Sequence, residues 1–410
     1  MTKWQTEKLS NLLAVSIGGI WGEEAGEAEV DVSVVRVTEL KAHGRIDPSS
    51  AVTRSVTLKQ LASRELQEGD LLLEKSGGGP NSPVGRVGYF FQEGTRTVCS
   101  NFMQLMRPDS SKVLPKYLFY FLDGFHSNGG TIPMQTATTN IRNIKTPQYM
   151  DIKVPVPPID EQYKIVELLE DHLSRLDAAL ADVKQAKIKA AQFRASVLNY
   201  IFFDSGTKGW SPYNAADLGK WITGSTPSSK VADFIGNDVP FITPGDILDG
   251  GEIINYSRMI SNSGADAVRR LRSNSVHLVC IGATLGKVGI ARFETTSNQQ
   301  INALEANEEI VLPDFVMWLL ATPSMQSKLW EASSSTTVPI LNKGNLEKIE
   351  FRVPDLNEQR KALEEFDRAK LTYEHLNKDF ESILVKSNSL RRSILQVAFT
   401  GQLTKEVVSV

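Results

Sequence analysis

The chain has 410 residues, 41% of them hydrophobic and 23% charged; that length fits two to four domains, and that composition excludes a disordered or fibrous protein. Its 45 Lys and Arg against 48 Asp and Glu give a formal net charge of -3, which excludes a basic coat, so any nucleic-acid contact must be local or shared with a partner. No run of 18 apolar residues occurs and the first ten residues lack the order of a signal peptide, so a cytoplasmic chain without membrane contact is expected.

In chain order, residues 1–150 read as a first globule, rich in Gly, Ser, Thr and β-branched residues, with buried strands predicted at 34–37 and 70–73. The glycines of Ser76-Gly77-Gly78-Gly79-Pro80 predict a turn that can approach a ligand closely. Cys99 and the later Cys280 form no Cys-x-x-Cys pair, so both read as reduced structural thiols. Residues 151–205 predict a short strand, a proline turn and one long helix. Pro157 and Pro158 fix its start, Asp160 offers an N-cap oxygen, and no Gly or Pro follows until Gly206. Such a helix would span roughly 65 Å. Val166, Leu169, Leu173, Leu176, Leu180, Val183, Ala190, Val197 and Ile201 recur at spacings built from 3 and 4, a coiled-coil seam that Lys187 and Arg194 interrupt.

Residues 206–347 predict a second globule, with strands at 240–243 and 276–281, and residues 348–410 a second strand, long helix and tail. Asn357 is the expected cap here, and Leu376, Phe380, Ile383, Leu390, Ile394 and Val397 form the stripe. The repetition is literal. Glu161 and Glu358 lie 197 positions apart; at the same spacing Phe193-Arg194-Ala195-Ser196-Val197-Leu198 meets Leu390-Arg391-Arg392-Ser393-Ile394-Leu395, and Phe202 meets Phe399. The globules echo each other at Gly85-Arg86-Val87-Gly88 and Gly286-Lys287-Val288-Gly289. The expected fold is α+β: two mixed α/β globules separated by two long helices packed as an antiparallel coiled coil, a pseudo-twofold tandem repeat.

Catalytic signatures are missing. Gly282-Ala283-Thr284-Leu285-Gly286-Lys287-Val288 has three residues between its glycines where a phosphate loop needs four, and Val after Lys where it needs Ser or Thr. It reads as a turn between strands that places Lys287 at the surface. There is no dinucleotide fingerprint, no Asn-Pro-Pro-aromatic motif and no Gly-x-Ser-x-Gly, and His43, His126, His172, His277 and His375 show no ligand spacing. No catalytic residue, metal ligand or cofactor site is expected.

Basic and hydroxyl side chains can bind phosphates and read base edges. By that chemistry the candidate DNA contacts are Arg36, Lys75 and Arg86 in the first globule, and Thr226, Arg269, Arg270, Arg272 and Lys287 in the second. Two polar runs precede the repeats at matching places and add Thr138, Thr139 and Asn140 to the first set, and Ser335 and Thr336 to the second.

Five stretches carry a family resemblance: Pro157-Pro158-Ile159-Asp160-Glu161-Gln162, Val353-Pro354-Asp355-Leu356-Asn357-Glu358-Gln359, Trp221-Ile222-Thr223-Gly224-Ser225-Thr226-Pro227-Ser228, Phe241-Ile242-Thr243-Pro244-Gly245-Asp246 and Ser297-Asn298-Gln299-Gln300-Ile301-Asn302-Ala303. With them the chain resembles the specificity subunit of Type I restriction-modification systems over nearly its whole length, more clearly in the second half. The resemblance implies that the globules are two target recognition domains, each reading one half of a split, asymmetric double-stranded DNA target. It implies that the helices space the domains and dock two methyltransferase subunits, with restriction (translocase and endonuclease) subunits joining through the complex. Leu169, Leu173, Leu176, Leu180 and Val183 on the first helix, and Leu376, Phe380, Ile383, Leu390 and Ile394 on the second, are the expected helix-helix and docking positions. S-adenosylmethionine is then expected in the partner methyltransferase. Two other readings stay open: a coiled-coil interaction scaffold that never touches DNA, which the acidic balance favours slightly and the resemblance disfavours strongly, and a fused enzyme, which the missing motifs disfavour.

Overall fold

The computed structural model describes residues 4–79, 82–91, 96–137, 141–204, 209–248, 250–334 and 338–402. The chain forms two compact units, Met1–Asp182 with Ser382–Val410, and Val183–Glu381. Each unit holds one globule and a stretch of both long helices.

In the first unit the opening strand Gln5–Lys8 pairs antiparallel with Lys153–Val156, so the globule begins and ends side by side. Between them lies a four-stranded antiparallel sheet in the order Leu13–Gly18, Met103–Pro108, Leu71–Glu74, Val87–Tyr89. Its third strand is buried on both faces, and alternation sends Leu71 and Leu73 into one core and Leu72 into another. The helix Pro115–Ser127 buries Tyr117, Leu118 and Leu122 against Leu71, Leu73 and Met106, and Leu169, Leu173 and Leu395 of the long helices close the same core. A second sheet runs Val52–Val56, Val30–Val35, Thr97–Cys99, with the last two strands parallel. A small third sheet joins Gln135–Ala137, Arg142–Ile144 and Ser76–Gly77.

The second unit repeats this wiring. Ser211–Asn214 pairs with Glu350–Val353, and the antiparallel sheet runs Gly219–Thr223, Ile301–Ala306, Ser275–Val279, Val288–Ala291. The three-stranded sheet runs Met259–Ile260, Val239–Ile242, Thr296–Ser297, its last pair again parallel. Single bridges from Ile340 to Ser334 and to Ile281 stand where the first globule has its small sheet. The expected α+β duplication is present in both globules.

The long helices are Ile159–Asn199 and Leu356–Ala398. A heptad runs through each. Counting by sevens from Gln162 and Val166 on the first, and from Gln359 and Leu363 on the second, every residue up to Ile201 and Ala398 is buried or half-buried. Leu169, Leu173, Leu176, Leu180, Val183, Phe380 and Ile394 fall on this seam as expected. Leu376, Ile383 and Leu390 do not: they lie one position beside it, 41 to 52% exposed. Tyr373, Leu384, Ser387 and Arg391 take the inner places instead. Lys187 and Arg194 occupy the seam rather than interrupting it. Lys187 pairs with Glu381, and Arg194 lies 5.5 Å over the Tyr373 ring, which fixes an antiparallel course in the second unit. In the first, Arg391, the repeat mate of Arg194, donates to Asp177 at 3.0 Å. Long cationic side chains pack their stems in the seam and carry their charge to its edge.

The caps also differ from expectation. Asp355, not Asn357, caps the second helix, its Oδ1 accepting from the Asn357 and Glu358 amides at 2.8 and 3.0 Å. In the first copy the matching residue is Pro158, whose carbonyl accepts from Glu161 and Gln162 at 2.9 and 3.0 Å, while Asp160 lies inside the first turn. Cys99 and Cys280 are buried free thiols, as expected, and burial pushes them up to about 12 and about 11. Among the described residues no helix is long and apolar enough to cross a membrane.

Candidate nucleic-acid interface

One cluster of loops forms at matching places in each globule, and backbone hydrogen bonds fix the correspondence. Gly19 donates to Met103 and Ile20 to Cys99 in the first, at 3.1 and 2.8 Å; Gly224 donates to Ile301 and Ser225 to Ser297 in the second, at 2.9 and 2.8 Å. Ser100 donates to Val35 and Asn298 to Ile242, while Lys75 donates to Phe102 and Cys280 to Gln300. Ile144 donates to Lys75 and Leu341 to Cys280, each at 2.8 Å. Glycine is required at two of these points: a Cβ on Gly19 would lie 2.1 Å from the Ser100 carbonyl oxygen, and one on Gly224 would lie 2.2 Å from that of Asn298.

In the first globule the loops enclose a cleft of about 540 Å³ lined by Trp21, Arg36, Val37, Thr38, Ser76, Gly77, Ser100, Asn101, Phe102 and Ile141. In the second, Thr226 Oγ1 donates to Gln299 Oε1 at 2.8 Å, and the Asn298 amide donates to Gln300 Oε1 at 3.0 Å. The loop at Gly282 is tied in by its amide donating to Pro339 at 3.0 Å.

Most of the candidate arginines are committed to structure. Arg36 donates from Nε and Nη2 to Glu39, at 3.1 and 2.8 Å, and from Nη2 to the Ser50 carbonyl. Burial alone would raise the Glu39 carboxyl; hydrogen bonds from Arg36, Ser50 and Thr38 outweigh it and hold the group at about 2. The second globule solves the same loop without an arginine: Thr243 donates to Asp246 from both its amide and its hydroxyl, at 2.8 and 2.7 Å. Arg86 forks onto the buried Glu74 at 2.8 and 3.1 Å and reaches the Leu40 carbonyl. Arg270 is held by Asp266, Glu294 and Asn262. Arg272 donates to the Ala306 carbonyl, with Glu308 at 3.7 Å.

The remaining candidates are more available. Arg269 is exposed and spends one donor on the Thr223 carbonyl, beside the loop that bears Thr226. Lys75 and Lys287 are half-buried and make no ion pair of 4 Å or less among the described residues. Lys75 adjoins the first cleft, its amide donating to the carbonyl of Phe102, whereas Lys287 stands in the hairpin Ser275–Ala291 behind Gly286. Thr138, Thr139, Asn140, Ser335 and Thr336 lie outside the described residues. The structure thus brings Arg36, Lys75, Thr226 and Arg269 to the loop clusters and leaves Arg86, Arg270, Arg272 and Lys287 in other roles or places.

Sequence reasoning missed Trp21, Asn101 and Phe102. Trp21 and Phe102 are 37 and 50% exposed at the mouth of the cleft. The usable signal was an aromatic residue beside a strand end: Trp21 comes three residues after Leu13–Gly18, and Phe102 comes directly before Met103–Pro108.

The model of the Type I restriction modification DNA specificity domain matches residues 2–190 and again 207–379. The chain is 24% identical over 320 residues to the Type I restriction enzyme EcoBI specificity subunit of Escherichia coli, covering 71% of this chain and 66% of that relative. It is 23% identical to the StySPI specificity subunit of Salmonella potsdam, covering 98% and 90%. A chain solved in work on complex assembly and conformational transition of the type I R-M system superposes with a TM-score of 0.76 at 18% identity, covering 97% of this chain and 98% of that one. The HsdS subunit from Thermoanaerobacter tengcongensis superposes at 0.58 with 17% identity, covering 97% of each. With the specificity domain matched twice, once on each globule and its following helix, the chain belongs to the Type I restriction-modification DNA specificity family.

Proposed function

We propose that this non-catalytic specificity chain reads a two-part DNA target, one half with each loop cluster, and docks two methyltransferase subunits on its long helices. Restriction subunits join through that complex, and S-adenosylmethionine belongs to the methyltransferase. The observation that carries the reading is the repeated loop cluster: two globules of different sequence present loops in one hydrogen-bonded register, as two readers of different half-sites require. The neutralised arginines and the net charge of -3 argue for weak, salt-sensitive binding by the chain alone, with phosphate contacts supplied largely by the partners. A cytoplasmic location follows from this role.

The test is single-molecule methylation mapping of a methylation-free host that expresses the chain with its neighbouring methyltransferase subunit, against the methyltransferase alone. A split adenine motif that needs this chain is the expected result. An unmodified genome from an assembled complex would favour a scaffold without DNA contact.

A further inference from the structure

The two loop clusters share a backbone but not a chemistry. Because Ile20 and Ser225 occupy one place in the register, the next residues also correspond, and Trp21 stands where the second globule has Thr226. By the bonds from Lys75 and Cys280, Phe102 stands where it has Gln300. Only the position between, Asn101 against Gln299, is an amide in both. At the two differing positions the first cluster offers aromatic surface and the second offers a hydroxyl and an amide.

The groups around each position sharpen the contrast. Among the described residues that line the first cleft the arginine is Arg36, and it is turned onto buried Glu39, so it carries no free forked donor toward a base. Arg54 lies 5.1 Å over the Trp21 ring and pairs with Glu24, which fixes the indole. What Trp21 and Phe102 present is therefore apolar surface, held in place at Trp21. In a DNA groove the complement of such surface is the thymine 5-methyl, the apolar group that base edges carry in the major groove. In the second cluster Gln299 and Gln300 carry primary amides on the loop; Gln300 Oε1 accepts from the Asn298 amide, which orients the side chain and leaves its second lone pair and its Nε2 donors for adenine N6 and N7.

We infer that the two half-sites are read by different chemistry: Trp21 and Phe102 select thymine in one through its methyl group, and Gln300 selects adenine in the other through hydrogen bonds. The inference rests on the DNA-reading role proposed above.

The experiment uses the complex of the full chain with its methyltransferase and a duplex bearing the mapped target. Every thymine of one half-site at a time is replaced by deoxyuridine, which removes only the methyl, and every adenine by 7-deazaadenine, which removes the N7 acceptor. The expected result is an asymmetry. Deoxyuridine weakens binding about fourfold per contacted methyl in one half-site alone, and that penalty disappears in the W21A/F102A double variant while persisting in Q300A. The deazaadenine penalty, about tenfold, falls in the other half-site and disappears only in Q300A. All three substituted side chains are at the surface or on loops; assembly with the methyltransferase, measured in parallel, reports that each variant is folded.

Equal deoxyuridine penalties in both half-sites, a first half-site without thymine, or penalties that survive in W21A/F102A would each overturn the inference while leaving DNA reading intact. A complex with no sequence preference would overturn the DNA reading, and this inference with it.

Discussion

Gln359 repeats Gln162 bond for bond. Both are fully buried. Gln162 Oε1 accepts from the Leu114 amide at 2.8 Å, and its Nε2 donates to the Pro157 and Lys112 carbonyls at 2.9 and 3.4 Å. Gln359 Oε1 accepts from the Leu312 amide at 2.8 Å, and its Nε2 donates to the Pro354 and Ile310 carbonyls at 2.8 and 2.9 Å. One side chain thus ties the start of each long helix to the start of the helix in its own globule. Gln162→Ala strands an amide and carbonyls out of water and should destabilise the first unit by about 2 kcal/mol; Gln359→Ala should do the same to the second. Replacement by Glu should cost more, because a carboxylate cannot donate to the carbonyls. Hydrogen exchange read unit by unit would locate each loss; an effect spread evenly over both units would contradict the assignment.

The seam predicts two unlike leucines. Leu173→Ala removes a side chain that is 4% exposed and should cost about 2 to 4 kcal/mol. Leu390→Ala removes one that is 52% exposed and should cost under about 0.5 kcal/mol. Denaturant midpoints of the two variants decide between this register and one with Leu390 inside.

Two basic residues proposed on chemistry alone should separate. Arg86→Met leaves Glu74, 2% exposed, without its partner and should cost about 3 to 5 kcal/mol. Arg269→Ala should leave stability within about 0.5 kcal/mol and lower DNA affinity of the assembled complex, with a smaller salt slope. Thermal unfolding and salt-titrated binding on the same two proteins make the comparison.

His277 should make the second unit acid-sensitive. It is fully buried, its Nε2 lies 3.1 Å from Ser275 Oγ and 3.3 Å from Thr295 Oγ1, and burial pushes its pKa down to about 4. The folded unit therefore binds fewer protons than the unfolded chain between pH 6.5 and 4. Its contribution is intact above 6.5 and is lost as pH falls through that window, by about 3 kcal/mol. His277→Gln should flatten this dependence; an unchanged slope in the variant would assign the acid sensitivity elsewhere.

The parts of the fold legible beforehand were those governed by local period. Forty-residue amphipathic stripes and the strands around residues 34, 71, 241 and 277 follow from neighbours a few positions away. The second helix misled because its seam includes Tyr373, Ser387 and Arg391, which an apolar count passes over in favour of Leu376, Ile383 and Leu390. The site was less legible for a related reason. Arg86 is claimed by Glu74, twelve residues away, and Arg270 by Glu294, twenty-four away, and no spacing rule anticipates such pairs. The likeness of the two globules was also hidden by its drift: Gly19 and Gly224 are 205 apart, Gly85 and Gly286 are 201 apart, and Ser100 and Asn298 are 198 apart. No single offset aligns the loops, although the hydrogen bonds do.

The pairing of each globule's opening strand with its closing strand gives the chain the form of a removable cassette. Gln5–Lys8 lies against Lys153–Val156, and Ser211–Asn214 against Glu350–Val353, so each globule is bounded by one two-stranded clasp. What lies between the clasp strands can change in length and sequence while the clasp and the buried glutamine behind it stay the same. A foreign globule could be grafted between the clasp strands at either position with both long helices unaltered, and a chain built this way can acquire a new specificity by exchange instead of by gradual substitution.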